Sequence, residues 1–207
     1  MDRLVYDIET AREVEKVKGG WSNPWGMGIA SAVVYSLDKD RYYFFLHEKS
    51  RSKLINFLNG HNIITYNGLN FDSKVVLGND RGIKLSETKR TFMISGDHDG
   101  KKIIWRELDL YNKLVSKYTG KSVVEILGKP FNCGISLNKV AEVNLGISKT
   151  ANGALAPILY SDGKYDQLLE YNLQDVRITT RLYLFLLDKK YIINERKEII
   201  DFRKGGK

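Results

Sequence analysis

From Tyr165 to Asp188 the chain runs for 24 residues without a glycine or a proline. At 1.5 Å per residue, a helix of that length is ~36 Å long, about the span of a small domain. Any fold that accepts it must lay one long helix across its core. The first third of the chain is built differently. Leu4 to Thr10, Ile29 to Leu37, Arg41 to His47 and Asn62 to Tyr66 are short runs dense in Val, Ile, Tyr and Phe. They are bounded by turn residues such as Asp38-Lys39-Asp40 and Asn67-Gly68, which is the pattern of strands. Strands first, with helices between and after, predict an α/β fold with a mixed central sheet flanked by helices.

Between these landmarks, Gly19 to Gly26 is a Gly/Trp/Pro loop, and Ser52 is placed to cap a helix carrying Leu54, Ile55, Phe57 and Leu58. Phe71 to Leu77 starts another helix. Thr91 to Ser95 and Lys102 to Leu108 are expected to pair as a hairpin across Gly96 to Gly100. Leu110 to Tyr118 has helical spacing, Ser122 with Glu125 fits a capping box, and a helix opened by Ser136 ends at Leu145-Gly146. Residues 1–188 are expected to form one domain, followed by a basic tail over 189–207, either a strand pair or a frayed extension.

A chain of 207 residues can bury roughly 70% of its unfolded surface, so it needs no disulfide, and Cys133 alone can form none within the chain. No apolar run approaches the ~18 residues of a membrane span. Met1-Asp2-Arg3 opens into a strand and not a signal peptide, so a soluble, cytoplasmic protein is expected. The formal charge of +8 favours anionic partners, nucleic acid first.

Three short segments carry chemistry. Asp7 and Glu9 lie two apart in a strand, on one face and ~6.7 Å apart along it. Carboxylates in so apolar a strand are costly unless paired or bound to a cation; an exposed strand face, or salt bridges to Arg3 or Arg12, is the alternative. Asp72 follows Asn67-Gly68-Leu69-Asn70-Phe71 and, taken alone, is placed as a helix cap. Tyr171 and Asp175 are four apart in the long helix and share a face continued by Ile178 and Leu182, a stripe that should meet the core.

Taken together and in this order, Asp-x-Glu, Asn-x3-Phe-Asp and Tyr-x3-Asp resemble the DEDD superfamily of 3′-5′ exonucleases, with its ribonuclease-H-like fold. The tyrosine subtype is implied, because the histidine subtype places His where Glu170 stands. The motifs are similar to those of the proofreading exonuclease of family B DNA polymerases. The stretch from Ser136 through Lys149 is similar to stand-alone exonuclease-like domains. The resemblance covers about Leu4 to Leu187 and is weakest over Arg81 to Arg106.

It implies catalytic roles for Asp7, Glu9, Asp72, Tyr171 and Asp175, with the four acids holding two Mg²⁺ or Mn²⁺ ions. Asp7 would bridge both, Glu9 and Asp175 would complete the nucleophile side, and Asp72 would hold the second ion through water. Tyr171 would orient the attacking water; a phenol near pKa ~10 is a better orienter than a base at neutral pH. Four acids without a Cys/His cluster suit hard cations. Thr10, Asn67, Asn70, Phe71 and Lys149 are the implied substrate-binding residues. The expected partner is nucleic acid with a free 3′ end, single-stranded DNA favoured. RNA or short oligonucleotides, or a non-catalytic single-strand-binding module, are the alternatives.

Other patterns carry less. Gly146-Ile-Ser-Lys149-Thr150 echoes a P-loop ending, but Val143 and Ser148 stand where glycines are required. Asp97-x-Asp99-Gly100 lacks the later acids of a calcium loop and is expected at a hairpin tip. His47, His61 and His98 are scattered, Asp109 is placed as a cap, and Trp21 and Trp25 are expected to pack in the loop or core, with stacking on terminal bases alongside Phe71 as the alternative.

Overall fold

The computed structural model describes residues 1–78, 84–87, 91–147 and 155–203. Strands β1 (Arg3–Thr10), β2 (Ile29–Ser36) and β3 (Arg41–Leu46) form an antiparallel meander. The other edge of β1 pairs in parallel with β4 (Asn62–Thr65). β4 pairs in parallel with β7 (Lys101–Asp109), which continues antiparallel through β6 (Phe92–His98) to β5 (Lys84–Glu87). The resulting mixed sheet has seven strands in the order β3-β2-β1-β4-β7-β6-β5.

Alternation along β1 feeds two core layers. Leu4, Tyr6 and Ile8 join one layer with α1 (Arg51–Leu58) and α2 (Asp72–Leu77). Val5 joins the other, with α3 (Leu110–Thr119), α5 (Leu137–Leu145) and the long α7 (Tyr165–Lys189). Helices on both faces leave the central strands no wet side, which is why β2 is apolar almost throughout and β1 is apolar from Leu4 to Tyr6. The α7 stripe packs across β1 and β2, burying Leu168, Asn172, Asp175, Val176, Ile178 and Leu182.

The sheet also makes the crevice. The β1–β4 ladder ends at Val5 opposite Ile64, while β1 runs on to Thr10. The carboxyl ends of β1, β4 and β7, in the middle of the sheet, therefore border a crevice beyond the strand ends, the usual place for a site in such sheets.

Several local expectations are corrected. Helix α1 starts at Arg51, so Ser52 lies inside it; its hydroxyl meets His98 Nε2 at 3.0 Å instead of capping. Ser136, by contrast, opens α5 from its N-cap and the helix ends at Leu145-Gly146 as expected, with no side-chain cap bond. The Gly19–Gly26 loop contains two 3-10 turns, Gly20–Ser22 and Pro24–Met27, preceded by a third at Val14–Lys16. β5 and α6 (Ala156–Ser161) are elements that the sequence pattern does not announce.

Other features form as read. Ser122 and Glu125 make a reciprocal capping box on α4 (Val123–Ile126). Asp99 and Gly100 both have positive φ at the β6–β7 turn, and Asp97 Oδ1 accepts from Gly100 N–H at 3.1 Å. After α7 the chain forms the hairpin β8 (Tyr191–Ile193) and β9 (Ile199–Asp201), whose Ile192 and Ile200 pack into the second core layer. No helix among the described residues is long and apolar enough to cross a membrane.

Candidate active site

Strand β1 carries Asp7 and Glu9 into the crevice, and α7 crosses it to bring Asp175 alongside. One carboxylate oxygen from each of the three lies within 4.8 Å of the others. Glu9 and Asp175 are buried and Asp7 is half-buried. Three ionised carboxylates this close repel by ~3 kcal/mol per pair at an effective dielectric near 20. Their oxygens are the donors that a hard divalent cation takes, and such an ion would relieve the repulsion. The donor set fits Mg²⁺ or Mn²⁺.

Asp7 is oriented by a residue that motif spacing does not single out. Fully buried Asn172 donates from Nδ2 to Asp7 Oδ2 at 2.6 Å, and its Oδ1 accepts from the Ser31 hydroxyl at 3.3 Å. The available signal was an amide on the core-facing side of α7, three residues before Asp175.

Asp72 opens α2, yet its side chain turns to β1: Oδ1 accepts the Ile8 N–H at 3.0 Å, just past the end of the β1–β4 ladder. Burial pushes its carboxyl up to about 7, against the lowering effect of the Ile8 N–H. It lines the same cleft as the trio without belonging to the 4.8 Å cluster. Tyr171 lines that cleft too, one helical turn before Asp175, with its ring packed among Ala30, Leu159 and Leu168. The cleft has a volume of about 410 Å³, and Asn67, Phe71, Tyr66, Tyr111, Ser136, Leu137 and Asn138 complete its walls. All five residues of the implied catalytic set thus meet in one place.

The substrate-binding candidates divide. Asn67 and Phe71 face the cleft, and Thr10 lines a second chamber beside it. Asn70 does not join either wall. Its Nδ2 bonds Asn67 Oδ1 at 2.8 Å and Asn112 Oδ1 at 3.3 Å, and its Oδ1 takes Gly128 N–H at 2.8 Å, so it ties the loop together. Lys149 lies outside the described residues.

Asp109 caps α3 and holds the β4–α2 loop. It accepts Asn112 N–H at 3.1 Å, Asn67 N–H at 2.9 Å and Leu69 N–H at 3.0 Å. That fixes Asn67 in the left-handed region (φ 72°), where Asn is tolerated. Gly68 follows because a Cβ there would lie 2.5 Å from Thr65 and 2.7 Å from Glu107.

Glu107 is a second buried polar residue that no local spacing reveals. It accepts from Thr65 Oγ1 at 2.8 Å, Ser73 Oγ at 2.6 Å and Trp105 Nε1 at 3.2 Å, and Ser73 meets Tyr6 OH at 2.9 Å. Burial pushes the carboxyl up to about 7, opposed by the Ser73 hydrogen bond. A raised acid pKa means the folded state holds its proton longer than the unfolded chain. Its stabilising contribution is therefore full below ~4.5, the ordinary Glu value, and is lost as pH rises to about 7. Each tenfold gain in proton affinity on folding is worth ~1.4 kcal/mol. Glu107→Gln keeps the size and places an amide NH₂ where Thr65 Oγ1 can accept. Urea unfolding in EDTA should therefore show the wild-type lead over Glu107→Gln shrinking between pH 5 and pH 8; a constant lead would contradict the raised value.

The RNase_H superfamily model matches residues 27–187, more than half of the chain. The chain belongs to the RNase_H superfamily. The matched span contains Asp72, Tyr171 and Asp175 and begins after Asp7 and Glu9, so the strand that supplies those two acids precedes it. Two solved structures share the fold: Phi29 DNA polymerase complexed with single-stranded DNA, and the same polymerase with primer-template DNA. Each has a TM-score of 0.50 and 10% identity, covering 91% of this chain. The chain spans 31% of the length of those polymerases. No curated protein matches it in sequence.

Proposed function

We propose that this protein is a metal-dependent 3′-5′ exonuclease of the tyrosine-type DEDD class, acting first on single-stranded DNA. The observation that carries this reading is the meeting of Asp7, Glu9 and Asp175 within 4.8 Å, in a cleft that Asp72 and Tyr171 also line. Superfamily membership, the similar fold of a polymerase complexed with DNA, and a net charge of +8 support the substrate class.

Asp7, Glu9 and Asp175 would hold one divalent ion, and Asp7 with Asp72 a second. When bound, Mg²⁺ or Mn²⁺ supplies an activated water and charge stabilisation on the leaving oxygen. The chain's own residues do the rest. Asn172 holds the Asp7 carboxylate in place through Oδ2. Asp72, held by the Ile8 N–H, sets the opposite wall. The Tyr171 hydroxyl orients the attacking water, and Asn67 and Phe71 receive the sugar and base of the strand end.

A time course on 5′-labelled single-stranded DNA, duplex DNA and RNA tests the reading. With Mg²⁺ or Mn²⁺ a ladder shortening from the 3′ end is expected, fastest on single-stranded DNA, and EDTA should abolish it. Binding without any shortening in either metal would replace the enzyme by a binding module.

A further inference from the structure

The positive charge of this chain is unevenly placed. Residues 189–207 carry seven Lys and Arg against three acids, and residues 113–129 carry four lysines against one acid. Together they account for seven of the eight net positive charges. The fold brings the two stretches into contact. β9 packs on α3, and Tyr118 of that helix donates its hydroxyl to Glu198 Oε2 in the β8–β9 turn at 2.7 Å. Arg196, in the same turn, donates to Asn132 O at 2.6 Å, which ties the hairpin to the segment after α4. The hairpin follows the span matched to the superfamily, so the shared fold does not by itself supply this surface.

Lys113 and Lys117 stand one turn apart on α3, and Lys121 follows its Gly120 cap. Like charges four apart on a helix repel. Each of these lysines lies near an aromatic face. Lys113 Nζ is 5.5 Å and Lys117 Nζ 6.0 Å from the Phe202 ring centre, and Lys121 Nζ is 5.7 Å from that of Phe131. Rings this close attract a cation and offset part of the repulsion. The acids of the two stretches are engaged within the protein. Glu125 serves the α4 capping box, Glu195 meets Lys139 at 3.0 Å, Glu198 takes Tyr118 and Asn194, and Asp201 pairs with Arg203 at 3.0 Å. Lys121, Arg196 and Lys197 are exposed. The result is a cationic surface interleaved with aromatic rings.

One end of this surface meets the cleft. Tyr111, in the first turn of α3, is part of the cleft wall, and from there the helix runs ~15 Å to its cap. We infer that the α3 lysines and the β8–β9 hairpin form a second nucleic-acid contact, which holds the backbone of the strand upstream of the end being cut. The inference rests on the exonuclease reading above. The acids of the cleft repel a phosphodiester chain, so affinity for the strand has to come from cations outside it. Basic side chains alternating with aromatic rings are the pattern that tracks a single strand whatever its sequence. Phosphate contacts fix position and affinity and read no base. The surface therefore makes affinity depend on strand length and salt, while the cleft alone sets the rate of cleavage once the end is bound.

The test uses the full chain with two single-stranded DNAs, one of about 4 nucleotides that engages the cleft alone and one of about 20 that reaches both contacts. A triple variant, Lys117→Gln, Lys121→Gln and Lys197→Gln, removes three cations of the surface and alters no residue of the cleft. A control, Arg41→Gln, Lys49→Gln and Lys53→Gln, removes the same charge from the side of β3 and α1. Binding is measured in EDTA over a salt series, and single-turnover cleavage in Mn²⁺. The triple variant should bind the long strand ~10- to 100-fold more weakly near ~0.1 M salt. Its slope of log affinity against log salt should be shallower by ~2, since each phosphate contact on a single strand contributes ~0.7. The half-saturating protein concentration for cleaving the long strand should rise with it. Cleavage of the short strand, the rate at saturation and Tm should stay at wild-type values, and the control should move the slope far less.

A long strand bound equally by wild-type protein and the triple variant, with one salt slope, would overturn the inference and give the surface to another anionic partner. Equal losses from the triple variant and the control would reduce the effect to net charge and overturn it too. So would a triple variant that loses the short strand as much as the long one. Cleavage in metal with the triple variant indifferent would remove the second contact and leave the exonuclease. Length-dependent binding that needs these lysines, with no cleavage in Mg²⁺ or Mn²⁺, would keep the contact and remove the exonuclease.

Discussion

Asp175→Asn is expected to abolish cleavage while leaving the protein folded. The change is nearly isosteric, so the α7 stripe of Val176, Ile178 and Leu182 keeps its packing. What disappears is one negative charge from three carboxylates within 4.8 Å. In metal-free protein that loss removes repulsion, so Tm should hold or rise. In Mn²⁺ the order reverses. Wild-type protein gains stability as the ion binds the native state alone, by RT ln(1 + [L]/Kd). Asp175→Asn should show a much smaller Mn²⁺-induced rise in Tm, and its single-turnover cleavage should drop by more than the ~10²–10⁴-fold tied to one acid–base group. Full activity in folded Asp175→Asn protein would end the two-metal reading.

The residues that make this expectation possible differ in how far sequence reveals them. Asp7 and Glu9 stand out because charge in an apolar strand is costly, and Asp175 because it sits four residues from Tyr171 on a core-facing stripe. Periodicity alone exposes such conflicts. Asn172 and Glu107 conflict with their surroundings equally, yet their partners lie 165 residues away at Asp7, or at Thr65 and Ser73 on other elements. Hydrogen bonds across a fold leave no local spacing to read. The same holds for Asn70, whose motif position suggests the cleft while its amide is consumed by Asn67, Asn112 and Gly128.

At the level of the fold, the pairing of Thr91 to Ser95 with Lys102 to Leu108 was legible, but Gly96 to His98, expected in the connection, continue β6, so the turn is Asp99-Gly100 alone. Its place in the sheet was not, because the parallel β4–β7 pairing joins segments some forty residues apart. Trp21 needed the structure for another reason. It follows Gly19 and Gly20, both with positive φ, and its ring stands against Phe71, a contact fifty residues away that no local pattern announces.

Tyr171→Phe separates the second role on α7 from the first. The ring packs with Ala30, Leu159 and Leu168, and phenylalanine keeps that packing while deleting only the buried hydroxyl. If the hydroxyl orients water, single-turnover cleavage should fall ~10²–10⁴-fold, the value of one well-placed proton-handling group. Mn²⁺ affinity should barely move, since all four carboxylates remain. The contrast with Asp175→Asn is the informative part: one variant loses the ion and the chemistry together, the other the chemistry alone. A purely architectural tyrosine predicts a different pair of results. Its loss would lower Tm, residual activity would track the folded fraction, and the Mn²⁺ titration would shift with it. A Tyr171→Phe protein with wild-type Tm, wild-type Mn²⁺ affinity and wild-type cleavage would take the hydroxyl out of the mechanism, leaving the acids to position the water unaided.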